Sequence, residues 1–168
     1  WTTLFVAALI FTGCGAKQLR ADEFYVDDPD FHIDEEASIP DTTETREVLD
    51  VLWQYRKAIV NNDFGVLNRL VSDDYYENAG TTGTTADDYG RSELGEIFEM
   101  VAQSADEIRY QITVRDVQVR GTQAHVDYEF DYAFKFQVGD SVTWDAGADV
   151  NRLELAREGD RWRIVSGM

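Results

Sequence analysis

The residue types that most often do chemistry are few in this chain and lie far apart. Its single cysteine, Cys14, excludes a disulfide within the chain and a multi-cysteine metal site. The two histidines, His32 and His125, are too distant in sequence to form a ligand pair of the usual spacing. Residues 27–30, Asp-Asp-Pro-Asp, could bind calcium, but they lack the loop spacing and the glycine of a calcium hand. We therefore expect no metal and no cofactor, and we interpret the acidic segment as solvated.

Cys14 has a different chemistry that depends on the residues before it. Residues 4–11 form an apolar run, which Thr-Gly joins to Cys14, and its length is typical of a secretory signal rather than a membrane span. The pattern resembles the acylation site of bacterial lipoproteins, although Phe11 stands where that pattern usually has leucine. We predict that residues 1–13 are a signal peptide, preceded by a basic segment, and that Cys14 is lipidated. The alternative is an ordinary cleaved signal peptide with an incidental cysteine.

The residues after Cys14 bear on location and partners. Gly15, rather than aspartate, follows the cysteine, and by resemblance to lipoprotein sorting this favours the outer membrane, facing the periplasm or the cell surface. The net charge of −18, from 33 acidic and 15 basic residues, repels nucleic acid and excludes it as a partner. Residues 15–43 hold nine acids and both prolines without hydrophobic periodicity. We predict that residues 14–43 are the lipidated cysteine and an acidic, flexible tether.

Residues 44–168 are predicted to form one domain with its helices before its strands. Apolar residues recur at helical spacing after Thr45, which is predicted to cap the first helix near Arg46. Strict alternation predicts a long antiparallel strand over 124–138, and a break in alternation at Asp116 predicts a bulge. The remaining predicted elements are helices at 64–71, capped by Asn-Asn-Asp63, and at 90–103, and strands at 75–78, 108–119, 142–155 and 161–165.

This order of elements carries a family resemblance. A helix, Asn-Asn-Asp-Phe at 61–64, a short helix, Leu-Val-Ser-Asp-Asp-Tyr-Tyr at 70–76, a helix, long strands and a closing Arg-Trp-Arg-Ile at 161–164 resemble the nuclear-transport-factor-2-like superfamily. That group includes ketosteroid isomerases, polyketide cyclases and SnoaL-like proteins. The resemblance implies an α+β roll, cystatin-like, in which a cone-like curved antiparallel sheet wraps around N-terminal helices and leaves a pocket. Such a fold does not determine a function.

The resemblance can be followed residue by residue. The isomerases carry a tyrosine eight places before the aspartate that ends the first helix, and Tyr55 and Asp63 have this spacing. Tyr55 would then donate a hydrogen bond to a ligand. The general-base aspartate of the isomerases falls at Asn78 or Ala79, and neither residue can take a proton. Their second oxyanion donor falls near Asn151, where an amide can still donate. The resemblance therefore does not imply isomerase activity.

Three further pocket positions follow from the same resemblance. Asp149 matches the single aspartate of cyclase-like members, with a solvent-facing strand residue as the alternative interpretation. Tyr128 and Tyr132 are either pocket donors or core residues. We predict a non-catalytic module that binds a small apolar ligand or docks an envelope protein. The alternative is a cyclase- or isomerase-like enzyme with Asp149 as acid–base and Tyr55 as donor.

The outer face of the sheet bears on assembly, because many members of the superfamily dimerise through it. Asp127, Glu129 and Asp131 fall on this face by alternation. Like charges that meet across an interface cost free energy. The sequence therefore favours a monomer.

Overall fold

The part of the chain described by a computed structural model comprises residues 17–20, 25–78 and 83–168. The predicted signal peptide and Cys14 lie outside these residues. Within them, none of the helices has both the length and the apolar character needed to cross a bilayer. The elements, in chain order, are β1 (Phe31–Ile33), α1 (Thr43–Val60), α2 (Phe64–Leu70), β2 (Tyr76–Glu77), β3 (Tyr89–Gly90), α3 (Arg91–Ser104), β4 (Ala105–Arg120), β5 (Gln123–Val138), β6 (Ser141–Glu158) and β7 (Arg161–Ser166).

Five of these strands form one sheet, in the order β1-β4-β5-β6-β7. Strands β4 to β7 are antiparallel, whereas β1 runs parallel to β4. The register of β4 shifts between Val114 and Asp116, so the predicted bulge is confirmed. The concave face of the curved sheet packs against α1. The predicted α+β class, a curved sheet with N-terminal helices, is confirmed.

Helix α1 owes its position to an apolar stripe and a defined start. Val48, Leu49 and Leu52 are buried along one side, as helical spacing requires. The predicted cap at Thr45 is wrong, because the Thr42 hydroxyl oxygen accepts from the backbone N–H of Thr45 at 3.1 Å. The helix therefore begins at Thr43, and Thr45 is buried in its first turn. The predicted cap of α2 is confirmed, since the Asp63 carboxylate accepts from a backbone N–H in that helix.

A second, two-stranded sheet lies between α2 and α3. The strand predicted at 75–78 is shorter, covering β2 only, and it pairs with β3, which the sequence did not predict. Helix α3 begins one residue later than predicted, because Gly90 is its N-cap and donates its backbone N–H to Glu93 at 3.1 Å. Residues 79–82 lie outside the described residues.

The prediction of a flexible tether is wrong for the residues of 14–43 that the structure describes. Strand β1 adds to the edge of β4, and Phe31 and Ile33 are 3% and 4% exposed. Ile39 is fully buried, and the backbone of Leu19 pairs with it at 2.8 Å. These apolar residues stand singly or in one short alternation, so they create no periodicity that a sequence pattern could reveal.

The acidic segment 27–30 is not a solvated linker, because it holds a buried cation. The Arg56 side chain on α1 is 5% exposed. Its guanidinium donates to Asp28 at 2.8 and 2.9 Å and to Asp30 at 2.7 Å. Its Nε donates to the backbone carbonyl of Tyr110 at 2.6 Å. Arg56 therefore connects the segment before α1 to both the helix and the sheet.

Candidate functional site

The concave face of the sheet carries an aromatic row on β5, which we define as Phe130, Tyr132, Phe134 and Phe136. Because side chains alternate along a strand, these four residues point to one face. Their neighbouring ring centroids lie 6.1, 5.4 and 6.2 Å apart, in tilted contact. All four are half-buried. The aromatic row therefore offers an apolar wall that solvent still reaches.

The inner end of this wall is closed by three buried tyrosines, Tyr55, Tyr110 and Tyr128, which we call the tyrosine cluster. Their hydroxyl groups lie close enough to affect one another's pKa. Burial raises the pKa of Tyr128 to about 12 and raises the pKa of Tyr55 and of Tyr110 well above the ordinary value. The three hydroxyls are therefore protonated at neutral pH. Because Tyr55 is only 5% exposed, a ligand that occupies the row does not reach it without a rearrangement.

Asn151 connects the tyrosine cluster to the C-terminal segment. Its side-chain Nδ2 donates to the Tyr128 hydroxyl at 3.2 Å and to the Gly167 carbonyl at 2.9 Å. Asn151 also lines a depression of about 360 Å³ together with Asn78, Tyr89 and Met168. The structure therefore brings together Asn78 and Asn151, the two amides that the family resemblance placed in the pocket.

The walls of this depression are held by hydrogen bonds to the last residues of the chain. The Glu77 carboxylate accepts from the Gly167 N–H at 2.6 Å and from the Ser166 hydroxyl at 3.2 Å. The Tyr89 hydroxyl donates to the carbonyl oxygen of Met168 at 2.8 Å. Glu77 is the carboxylate nearest Asn78 in sequence, and these contacts give it a structural role.

The remaining predicted residues lie outside the depression that Asn78 and Asn151 line. Tyr132 belongs to the aromatic row, and its ring covers Gly147, where an added Cβ would lie 2.9 Å from the tyrosine oxygen. Asp149 is exposed on β6, and its carboxylate accepts from the N–H of Val150 at 2.8 Å. The register places Asp149 directly opposite Phe130, on the same face as the aromatic row, but its side chain is open to solvent there. Ala79 and Cys14 lie outside the described residues.

Sequence reasoning missed several residues of the site. Tyr110 belongs to the tyrosine cluster because the register places it opposite Tyr132. Its position in the alternation of 108–114 was visible, but its partner depends on the register, which a single strand does not encode. Tyr89 and the Met168 carbonyl meet only because β3 and the end of β7 come together, and no local pattern predicts that contact.

The convex face is less uniformly acidic than the sequence suggested. The Arg152 guanidinium donates to Asp127 at 2.6 and 2.8 Å and thereby lowers the pKa of that carboxyl. Arg115 pairs with Glu129 at 2.6 Å. The like-charge argument for a monomer is therefore wrong for two of its three carboxylates, and the monomer itself stays a prediction.

A curved sheet that wraps around a helix and carries an aromatic wall on its concave face is the architecture of one known class of small domains. The sequence profile of the SnoaL-like domain matches residues 48–167 of the chain. The chain belongs to the SnoaL-like family, and the predicted resemblance to nuclear-transport-factor-2-like proteins is confirmed. A search among curated proteins found no significant match.

Solved structures share this fold at low sequence identity. The Kfla4162 protein from Kribbella flavida has a TM-score of 0.63 at 16% identity, over 74% of this chain and 88% of that chain. A protein of the NTF2-like family from Streptomyces avermitilis has a TM-score of 0.59 at 19% identity, over 74% and 93%. A ketosteroid isomerase-like protein from Erwinia carotovora atroseptica has a TM-score of 0.59 at 17% identity, over 75% and 94%. At these identities the likeness concerns the fold.

Proposed function

We propose that this chain is a cell-envelope lipoprotein whose SnoaL-like domain binds a small apolar ligand without transforming it. In this proposal acyl chains on Cys14 hold the protein at the membrane, and the concave face of the sheet receives the ligand. A protein partner of the envelope is the other occupant that the sequence left open, and the experiment below separates the two.

The observation that carries the proposal is the half-buried aromatic row, which lies beside the buried tyrosine cluster. When a ligand covers an apolar wall that solvent still reaches, the apolar surface removed from water contributes about 25 cal/mol per Å² to the free energy of binding. The amides of Asn78 and Asn151 line the depression near the tyrosine cluster. Apolar walls with a few fixed polar groups are typical of small-molecule sites.

The absence of transformation is supported by the groups around the site. The isomerases of the superfamily use an aspartate as base where this chain has Asn78 or Ala79, and an amide or a methyl cannot take a proton. The tyrosine hydroxyls stay protonated because burial raises their pKa. Asp149 is exposed and Tyr55 is buried, so the geometry does not favour the cyclase-like alternative that pairs them.

The test is binding of Nile red, a neutral apolar dye, followed by its fluorescence. Phe134→Ala removes a ring from the middle of the aromatic row, and we expect the dissociation constant to rise about tenfold, which is about 1.4 kcal/mol. The matched control is Trp144→Ala, since this aromatic residue is 41% exposed and points to the convex face of the neighbouring strand.

Two outcomes would count against a ligand site on the concave face. If Nile red does not bind, or if Trp144→Ala weakens binding as much as Phe134→Ala, the aromatic row is not where an apolar molecule lies. The search for an occupant would then turn to envelope proteins.

A further inference from the structure

We propose that Asp116, His125 and Asp127 form a binding site for one divalent transition-metal ion of the Zn²⁺ type on the convex face of the sheet. This site lies on the opposite face from the aromatic row and is independent of the proposed ligand. Its three residues come from β4 and β5, at the end of the sheet next to the turn between those strands.

The bulge in β4 brings the three side chains together. Asp116 follows the register shift and stands directly opposite Asp127, while His125 lies two residues before Asp127 and so on the same face. One ligand atom from each residue lies within 4.8 Å of the others, and all three residues are half-buried. One imidazole nitrogen and two carboxylate oxygens are a donor set that Zn²⁺ accepts in proteins.

One ring nitrogen of His125, Nε2, is buried without a hydrogen-bond partner among the described residues. A buried polar atom without a partner costs free energy, which a coordinated cation would offset. A depression of about 210 Å³ adjoins His125.

The two carboxylates make further contacts. Gln118 donates to Asp116 at 2.9 Å, and such a contact fixes the direction of a metal ligand. Arg152 donates to both oxygens of Asp127. A tetrahedral ion with bonds of about 2.0–2.2 Å holds its ligand atoms about 3.4 Å apart, so small side-chain rotations complete the site. Arg152 also competes with the ion for Asp127, which predicts a moderate rather than a tight affinity.

The test is calorimetric titration of the untagged full chain with Zn²⁺ at pH 7.5. We expect one ion per chain, and we expect His125→Gln to weaken binding by at least about tenfold. The matched control is His32→Gln, since the second histidine is exposed on β1, which pairs with residues 112–114 of β4 and not with Asp116. His32→Gln should leave the affinity unchanged. Circular dichroism of each variant checks that the fold is retained.

The variant Arg152→Gln distinguishes specific binding of Zn²⁺ at this site from its nonspecific association with a cluster of charges. If Zn²⁺ binds at Asp127, removing the competing guanidinium should strengthen binding. Binding that is weak, involves several ions per chain and is unaffected by His125→Gln would overturn the proposal, because Zn²⁺ would then associate only with the acidic surface. A weaker affinity in Arg152→Gln would also contradict this arrangement.

Discussion

At the scale of single residues, Arg56 is the side chain with the most demanding environment. Burying a charge costs several kcal/mol unless its partners are well placed. Here Asp28, Asp30 and the Tyr110 carbonyl accept from all three guanidinium nitrogens. Because these partners belong to the segment before α1 and to β4, one side chain ties three parts of the fold together. Its loss leaves Asp28 without its cation at a site only 12% exposed.

We therefore expect Arg56→Met to lower the free energy of unfolding by about 3 kcal/mol or more, measured by urea denaturation. The matched control is Arg109→Met. Arg109 also donates to a carboxylate, that of Glu107 at 2.8 Å, but its side chain is 69% exposed. An exposed pair of this kind contributes less than about 1 kcal/mol. Equal losses in the two variants would show that burial does not set the strength of the Arg56 network.

At the scale of elements, β1 has only three residues, yet it both extends the sheet and covers part of its edge. It pairs in parallel with residues 112–114 of β4 and covers the edge of the sheet there. Exposed edges invite pairing with other chains, so a covering strand protects the fold as well as extending it. Its alternation places Phe31 and Ile33 in the core and His32 in solvent.

Phe31→Ala is expected to lower the free energy of unfolding by about 3–5 kcal/mol, because it removes a buried ring and leaves a cavity. His32→Ala changes the next residue of the same strand, whose side chain is exposed, and should stay within about 0.5 kcal/mol of the parent. Thermal and urea unfolding of both variants test this difference. If the Phe31→Ala protein is as stable as the parent, this result would support the flexible tether that the sequence predicted.

At the scale of the whole molecule, the packing of residues before α1 bears on the proposed membrane anchor. The backbone of Lys17 already pairs with that of Asp41 at 2.7 Å. Only two residues lie between Cys14 and Lys17, and the three peptide units that join them reach at most about 11 Å. In our proposal the domain therefore lies close to the membrane. Its charge of −18 repels anionic head groups, so acyl chains must supply the attachment.

Cys14→Ser is accordingly expected to move the protein from the membrane fraction to the soluble fraction of a bacterial host. The chain would be expressed behind a basic leading segment, and the intact mass of the membrane form should include the acyl groups. Tyr76→Phe, a substitution on the exposed β2, serves as the control that stays membrane-bound. Retention of Cys14→Ser in the membrane fraction, without added lipid mass, would contradict the anchor.

The sequence by itself determined the fold class and most element positions. Residues 48–59 repeat at helical spacing, residues 124–138 alternate without a break, and the slip at Asp116 marks the bulge. These features are local, because each depends on which face of one element is buried. The cap at Asp63 could be predicted because capping too is a local property of the sequence. The first cap was misplaced by three residues, since three threonines close to one another can each begin a helix.

Only the tertiary structure decided which distant residues meet. The tyrosine cluster, the Arg56 network and the group of Asp116, His125 and Asp127 each join separate elements through the register of the sheet or through the docking of a segment. The segment before α1 was predicted to be flexible because it is rich in acids and has no hydrophobic periodicity. Several of its apolar side chains are nevertheless buried, and Arg56 pairs with two of its carboxylates. Local periodicity carries no information on such pairings, since their free energy arises from contacts between parts of the chain far apart in sequence.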